Sequence, residues 1–154
     1  MEDTLKNQAL KFAMKLIGLR RRSVFEIKKR LAQKGFAEDV IAETIEELNK
    51  FRYLNDEAFA ESYINDRMNF RPCGRFLVKR ELKQRGVADD IIERKTEELF
   101  PPEKELELAK KLAEKKMRIV GESEDKEKVR RKIKNFLEQR GFSCSTISQV
   151  MNKE

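Results

Sequence analysis

Residues 29–41 read KRLAQKGFAEDVI. A basic amphipathic run ends on Gly35, and a second helical pattern opens within three residues on the acids Glu38 and Asp39. Taken alone, the stretch has the outline of a helix-turn-helix motif, whose second helix enters the major groove of DNA. It returns as RELKQRGVADDII at 80–92 and more faintly as NFLEQRGFSCSTI at 135–147. Whether this is a DNA-reading element or a structural unit depends on what surrounds it.

The repetition has a fixed period. Residues 23–48 align with 74–99 without gaps, and 11 of these 26 positions are identical, among them Phe25/Phe76, Lys28/Lys79, Leu31/Leu82, Gly35/Gly86 and Ile41/Ile92. Self-similarity at a fixed offset is evidence of repeat architecture and outranks a local motif match. The offset of 51 extends upstream. Ala9, Phe12, Ala13, Leu16 and Ile17 form the i, i+3, i+4, i+7, i+8 stripe of an amphipathic helix. Their counterparts are Ala60, Tyr63, Ile64, Arg67 and Met68, where one apolar position has become a long, snorkelling arginine. Ala109, Leu112, Ala113, Lys116 and Met117 keep the spacing in a third unit, which carries six extra residues before its glycine. These are expected in the polar stretch GESEDKEK at 121–128.

Each unit therefore reads as three helices. Asp3 or Thr4, Asn55 or Asp56, and the Pro101-Pro102 pair are start signals for the first helices. The second helices carry Val24, Ile27 and Leu31; Val78 and Leu82; Ile133 and Leu137. The third carry Val40, Ile41, Ile45 and Leu48; Ile91, Ile92 and Leu99; Ile147, Val150 and Met151. These stripes are read as core. The glycine is read as the left-handed residue of a Schellman cap, which places Phe36, Val87 and Phe142 against Leu31, Leu82 and Leu137. The expected fold class is all-α: three tandem three-helix repeats over residues 1–54, 55–102 and 103–154, the last with a longer polar loop.

Composition bounds the function. The chain has 154 residues, 41% of them charged, a net charge of +7 and a pI near 9.4. That balance favours an anionic partner, nucleic acid or an acidic protein surface, over solubility alone. With no histidine, a metal site would need carboxylates only. Glu43, Glu46 and Glu47 share a helix face, but they read as an exposed acidic surface. Cys73 and Cys144 form no metal or redox motif. There is no leader or membrane-spanning run, so a cytoplasmic protein with free thiols is expected. No phosphate loop is present, and no serine or cysteine has a candidate base; no enzyme, cofactor or small-molecule substrate is expected.

The charge is also segregated. Segments 15–34, 67–85 and 126–140 hold eight, seven and seven Lys/Arg against one, one and two acids. Segment 37–48 has five acids and no base, and 88–99 has five acids and two bases. The helix after each turn in the first two units thus begins with acids, which phosphates would repel, and Ser143, Cys144, Ser145 and Thr146 of the third are neutral. Major-groove reading by all three units is therefore rejected. Recognition is expected instead from the basic loops GLRRRS (18–23) and FRPCGR (70–75) and from the second helices. The candidates are Arg20, Arg21, Arg22, Lys28, Lys29, Arg67, Arg71, Arg75, Lys79, Arg80, Lys83, Arg130, Arg131 and Lys134. Phe25, Phe70 and Phe76 lie among them and are expected to pack on the first helix rather than stay open for base stacking.

The stretches YLNDEAFAESYINDR (53–67), GRFLVKRELKQRGV (74–87) and ALKFAMKLIGLRRRSVFEIKKRLAQKGF (9–36) resemble the RecX family of recombination regulators. The resemblance covers nearly the whole chain. It implies an elongated, curved array of three repeats that binds the filament of the RecA recombinase on DNA. It further implies inhibition of strand exchange, ATP hydrolysis and co-protease activity, in DNA repair and the SOS response, without catalytic residues. Single- or double-stranded DNA is expected to bind only weakly and without sequence specificity on its own. The alternative is a general DNA-binding protein built from helix-turn-helix-like repeats and acting without RecA.

Overall fold

The structure is a computed structural model and describes residues 2–120 and 125–152. Among the described residues there are nine helices: α1 (Glu2–Leu19), α2 (Val24–Lys34), α3 (Glu38–Lys50), α4 (Asp56–Phe70), α5 (Arg75–Gln84), α6 (Asp89–Leu99), α7 (Pro102–Val120), α8 (Lys126–Gln139) and α9 (Cys144–Asn152). They pack in threes, in chain order, and each three surrounds its own core. The all-α repeat fold read from the sequence is the fold found.

Capping explains the boundaries. Ser23 begins α2 with a full capping box, its hydroxyl accepting the Glu26 N–H while the Glu26 carboxylate accepts the Ser23 N–H. Asn55 begins α4 by accepting the Glu57 and Ala58 N–H groups. Pro102 is the first residue of α7, where its missing N–H costs nothing. The first helix starts at Glu2, so Asp3 and Thr4 lie inside it rather than capping it. Gly35, Gly86 and Gly141 have φ of 102°, 78° and 79°. In each unit the following residue (Phe36, Val87 or Phe142) donates its N–H to Leu31, Leu82 or Leu137, at 3.2, 3.1 and 3.2 Å. That is the Schellman bond, closed by the leucine that also anchors the core.

The apolar stripes fill the three cores. Ile27, Leu31, Val78, Leu82, Ile133 and Leu137 are fully buried on the second helices, and Ala9, Ala13, Ala60, Ile64, Ala109 and Ala113 are buried on the first. Exchanging one of the buried leucines for alanine would cost about 2–5 kcal/mol. Two stripe positions depart from expectation. Met117 lies past the last buried residue of α7 and is 41% exposed. Arg67 does not snorkel to water; its side chain is 11% exposed, because Glu81 meets it inside the unit. The stretch expected to hold the six additional residues of the third unit, 121–128, is described only in part. Residues 121–124 lie outside the described residues, but Lys126–Val129 form an additional first turn of α8 begun by Asp125.

Candidate nucleic-acid interface

The repeats are joined by one device used twice. Asp56, the first residue of α4, accepts the N–H of Val24 at the start of α2 at 2.9 Å. Glu105, in the first turn of α7, accepts the N–H of Arg75 at the start of α5 at 2.7 Å. Each carboxylate thus satisfies an orphan donor, and the positive dipole end, of a helix in the preceding repeat. At the same junctions Ser23 Oγ donates to the Arg85 carbonyl (2.6 Å), and the Gly74 N–H donates to the Arg140 carbonyl (2.7 Å). The second helices consequently meet end to end: the C-terminus of α8 abuts the start of α5, and the C-terminus of α5 abuts the start of α2.

The first junction builds a cleft of about 710 Å³ lined by Arg20, Arg21, Phe59, Ser62, Tyr63, Asn65, Asp66, Arg67, Arg71 and Arg85. Its cations come from two repeats. The capping box fixes the loop carrying Arg20 and Arg21, and Arg20 closes it by a 2.9 Å ion pair to Glu26. Burial works against ionisation of Glu26, but the hydrogen bonds from Arg20 and the Ser23 N–H prevail and hold its pKa low. On the opposite wall Arg67 Nε lies 2.9 Å from Glu81 Oε1, off the hydrogen-bonding direction, and its terminal nitrogen donates to Glu81 at 3.4 Å. Arg67 also donates to the Arg71 carbonyl. Arg85 stacks over the Tyr63 ring at 4.6 Å and donates to the Glu81 carbonyl. The Tyr63 hydroxyl donates to Glu81 Oε1 at 2.7 Å; burial, with that bond, pushes its pKa up to about 12.

These contacts divide the cations. Arg20 and Arg67 are neutralised by carboxylates, while Arg21 and Arg71 are exposed and make no ion pair among the described residues, and Arg85 holds only a carbonyl and a ring. The arrangement can grip an anion through forked guanidinium donors, which fit phosphate or carboxylate bidentately. Tyr63 stays protonated at neutral pH and is an orienting group, not a nucleophile. Cys73 is buried behind the cleft, and burial pushes its thiol up to about 11.

The remaining sequence candidates lie elsewhere. Arg22 turns inward to the Leu16 carbonyl at 3.3 Å. Arg75, Lys79 and Lys83 face α6 and reach Glu97 (2.7 Å), Glu93 (2.9 Å) and Asp89 (3.9 Å). Lys28, Lys29, Arg80, Arg130, Arg131 and Lys134 stand exposed on the second helices. Of the acidic trio on α3, Glu43 and Glu46 are exposed and Glu47 pairs with Lys6 at 2.8 Å. The expected packing of the phenylalanines is overturned: Phe70 is 77% exposed, Phe76 65% and Phe25 45%. In the first two repeats the first helices already bring Phe12, Phe59 and Tyr63 to the cores. Arg85 escapes sequence reasoning because it sits beside the glycine of a cap. Its signal is Tyr63, which the repeat offset places where Phe12 lies under Lys34 at 5.5 Å.

Fold and cleft together define a tandem three-helix repeat protein whose second helices are basic and whose third helices are acidic in the first two repeats, α3 and α6. Residues 9–48, 55–94 and 103–151 match the first, second and third three-helix domains of RecX. The protein Regulatory protein RecX of Pelodictyon phaeoclathratiforme is 34% identical over 98% of this chain and 91% of its own length. The protein of that name in Clostridium perfringens is 39% identical over 83% of this chain, which spans only 59% of it. The crystal structure of RecX from Lactobacillus salivarius superposes with a TM-score of 0.87 at 26% identity, covering 98% of this chain and 97% of that one. The chain belongs to the RecX family of regulatory proteins. Among the described residues no helix is long and apolar enough to cross a membrane.

Proposed function

We propose that this protein acts in the cytoplasm as a non-catalytic regulator that binds the RecA–DNA filament and lowers its strand exchange, ATP hydrolysis and co-protease activity. The observation that carries this reading is the cleft at the first junction, where arginines from two repeats converge and two of them, Arg21 and Arg71, are exposed and make no ion pair among the described residues. A charge-segregated array of repeats offers an extended surface to an extended partner. A filament made of both protein and phosphate gives the basic second helices and the acidic α3 and α6 each something to meet. The regulatory name of the relatives supports the same reading.

The test is RecA-dependent ATP hydrolysis on single-stranded DNA, titrated with this protein and with an R21E/R71E variant. Wild type should inhibit, and the variant should need at least tenfold more protein for the same effect. Equal inhibition by both removes the cleft from the interface. Should wild type bind naked DNA as tightly as the filament at physiological salt, the protein is a general DNA-binding protein instead.

A further inference from the structure

The second helices carry something that the cleft does not use. On α5, Phe76, Lys79, Arg80 and Lys83 follow one another at i, i+3, i+4 and i+7, away from the buried Val78 and Leu82. Lys79 is held by Glu93, Lys83 reaches Asp89 only at 3.9 Å and stays exposed, and Arg80 makes no ion pair among the described residues. On α2 the same offset places Phe25, Lys28 and Lys29 opposite Ile27 and Leu31. Both rings are open, Phe76 at 65% and Phe25 at 45% exposure. A side chain on Gly86 would meet Phe25 Cβ at 2.1 Å, so Phe25 stands directly on the end of α5. Gly86 is ten residues from Phe76, about 15 Å along a helix. The stripe on α5 therefore runs into the stripe on α2, with a ring at each station and cations between them.

We propose that this face of α5 and α2 is a track for single-stranded nucleic acid, in which Phe25 and Phe76 stack on bases while Arg80, Lys83, Lys28 and Lys29 follow the phosphates. Open rings between cations fit a strand whose bases are unpaired, since each base offers a flat face and stacking is tolerant of sequence. A duplex hides those faces and would engage the cations alone. The roughly 15 Å of helix from Phe76 to the Gly86 end on which Phe25 stands corresponds to about four nucleotides at a stacked spacing of about 3.4 Å. An acidic protein surface would satisfy the cations but give the rings no reason to be open at equivalent positions of two repeats. The proposal rests on the nucleic-acid half of the function above and requires nothing of the recombinase.

The experiment is binding of fluorescein-labelled oligo-dT and of a hairpin duplex of equal length, without recombinase, across a range of salt. The proteins compared are wild type, F76A, F25L/F76A and R80A/K83A. Leucine at 25 keeps an apolar contact over Gly86, and F76A alone serves if the pair melts early. Wild type should prefer the single strand. F76A should weaken oligo-dT binding about tenfold and F25L/F76A further, with duplex binding within about twofold and the salt slope unchanged. R80A/K83A should instead flatten the slope on both ligands. A wild type that prefers duplex or binds neither ligand overturns the proposal, as does an equal loss on both ligands in F76A. Loss of recombinase inhibition with oligo-dT affinity intact would assign the rings to a protein partner, which also overturns it.

Discussion

Glu105 reaches from the third repeat to the N–H of Arg75 in the second, at 2.7 Å, and is itself 1% exposed. The same carboxylate accepts from the Ser143 N–H, the Ser143 hydroxyl and the Thr146 hydroxyl at the start of α9. It therefore holds two helix starts together. E105A strips the acceptor from four donors at once, the Thr146 hydroxyl among them buried, and should cost about 3 kcal/mol, lowering Tm by roughly 10 °C. E105Q, which keeps one acceptor oxygen, should fall between. D56A loses a half-buried carboxylate serving a single N–H and should cost about 1 kcal/mol. Thermal melts followed by circular dichroism decide it, and an E105A protein melting within about 2 °C of wild type would remove Glu105 from the junction.

The three capping glycines should not respond alike. A Cβ on Gly35 meets nothing within 4 Å, so G35A suffers only the left-handed backbone, about 1–2 kcal/mol. On Gly86 it meets Phe25 Cβ at 2.1 Å and on Gly141 Leu77 Cβ at 2.4 Å, so those variants must also part the repeats. An added cost of about 1–3 kcal/mol is expected. Gly74 has an ordinary φ of −81°, yet its Cβ would strike the Gly141 carbonyl oxygen at 2.2 Å. G74A should therefore destabilise as much as G141A with no backbone strain at all. Urea unfolding gives the order, and G35A costing as much as G86A would contradict it.

The period of the chain makes the nine helices of the described residues, the Schellman caps and most core positions readable, because all three follow from spacing within one unit. The junctions do not follow from spacing. Asp56 reads as a start signal for its own helix, whereas its carboxylate serves Val24, 32 residues away. A trace is present: the units that have a predecessor carry Asp56 and Glu105 four residues before Ala60 and Ala109, where the first unit has Leu5 before Ala9. The basic loops stand out in the sequence as dense in charge. Which arginines stay unpaired is hidden there, since Glu26 and Glu81 reach their partners only through tertiary geometry. The open phenylalanines mislead because a ring next to a core stripe looks like core until the space left there is known.

Thr96 marks a place where the second repeat is less well built than the first. Its hydroxyl is buried and has no hydrogen-bond partner among the described residues, and the repeat offset puts Ile45 at the same place in the first unit. A valine fills nearly the same volume without a polar atom to desolvate. T96V should stabilise the protein by about 1 kcal/mol, raising Tm by roughly 2–4 °C. A lower Tm would mean that the hydroxyl has a partner after all.

Tyr63 gives the junction a signature at high pH. Its folded pKa, about 12, lies above the ordinary value of 10.0, because burial and the bond to Glu81 favour the neutral phenol. Its contribution to stability is thus complete below pH 10 and is lost as the pH rises toward 12. Phenolate absorbance should show a titration step near 12 that vanishes in Y63F. A step near 10 in its place would mean that Tyr63 is neither buried nor held by Glu81 in solution.

Paired and unpaired arginines should separate in the salt dependence of DNA binding. Arg21 and Arg71 make no ion pair among the described residues and are exposed, so each is able to replace a counterion on a phosphate. Arg75 and Lys79 are held by Glu97 and Glu93, and binding through them must first break those pairs. Each phosphate that a variant no longer neutralises on a single strand reduces the slope of log K against log salt by about 0.7. R21A/R71A should therefore flatten the slope by about 1.4, while R75A/K79A should change it by less than half of that. Removing Glu93 and Glu97 instead should steepen it, because two cations are released to the ligand. If R75A/K79A flattens the slope as much as R21A/R71A, the α5–α6 ion pairs open on binding and the cations of that face exchange one carboxylate for a phosphate.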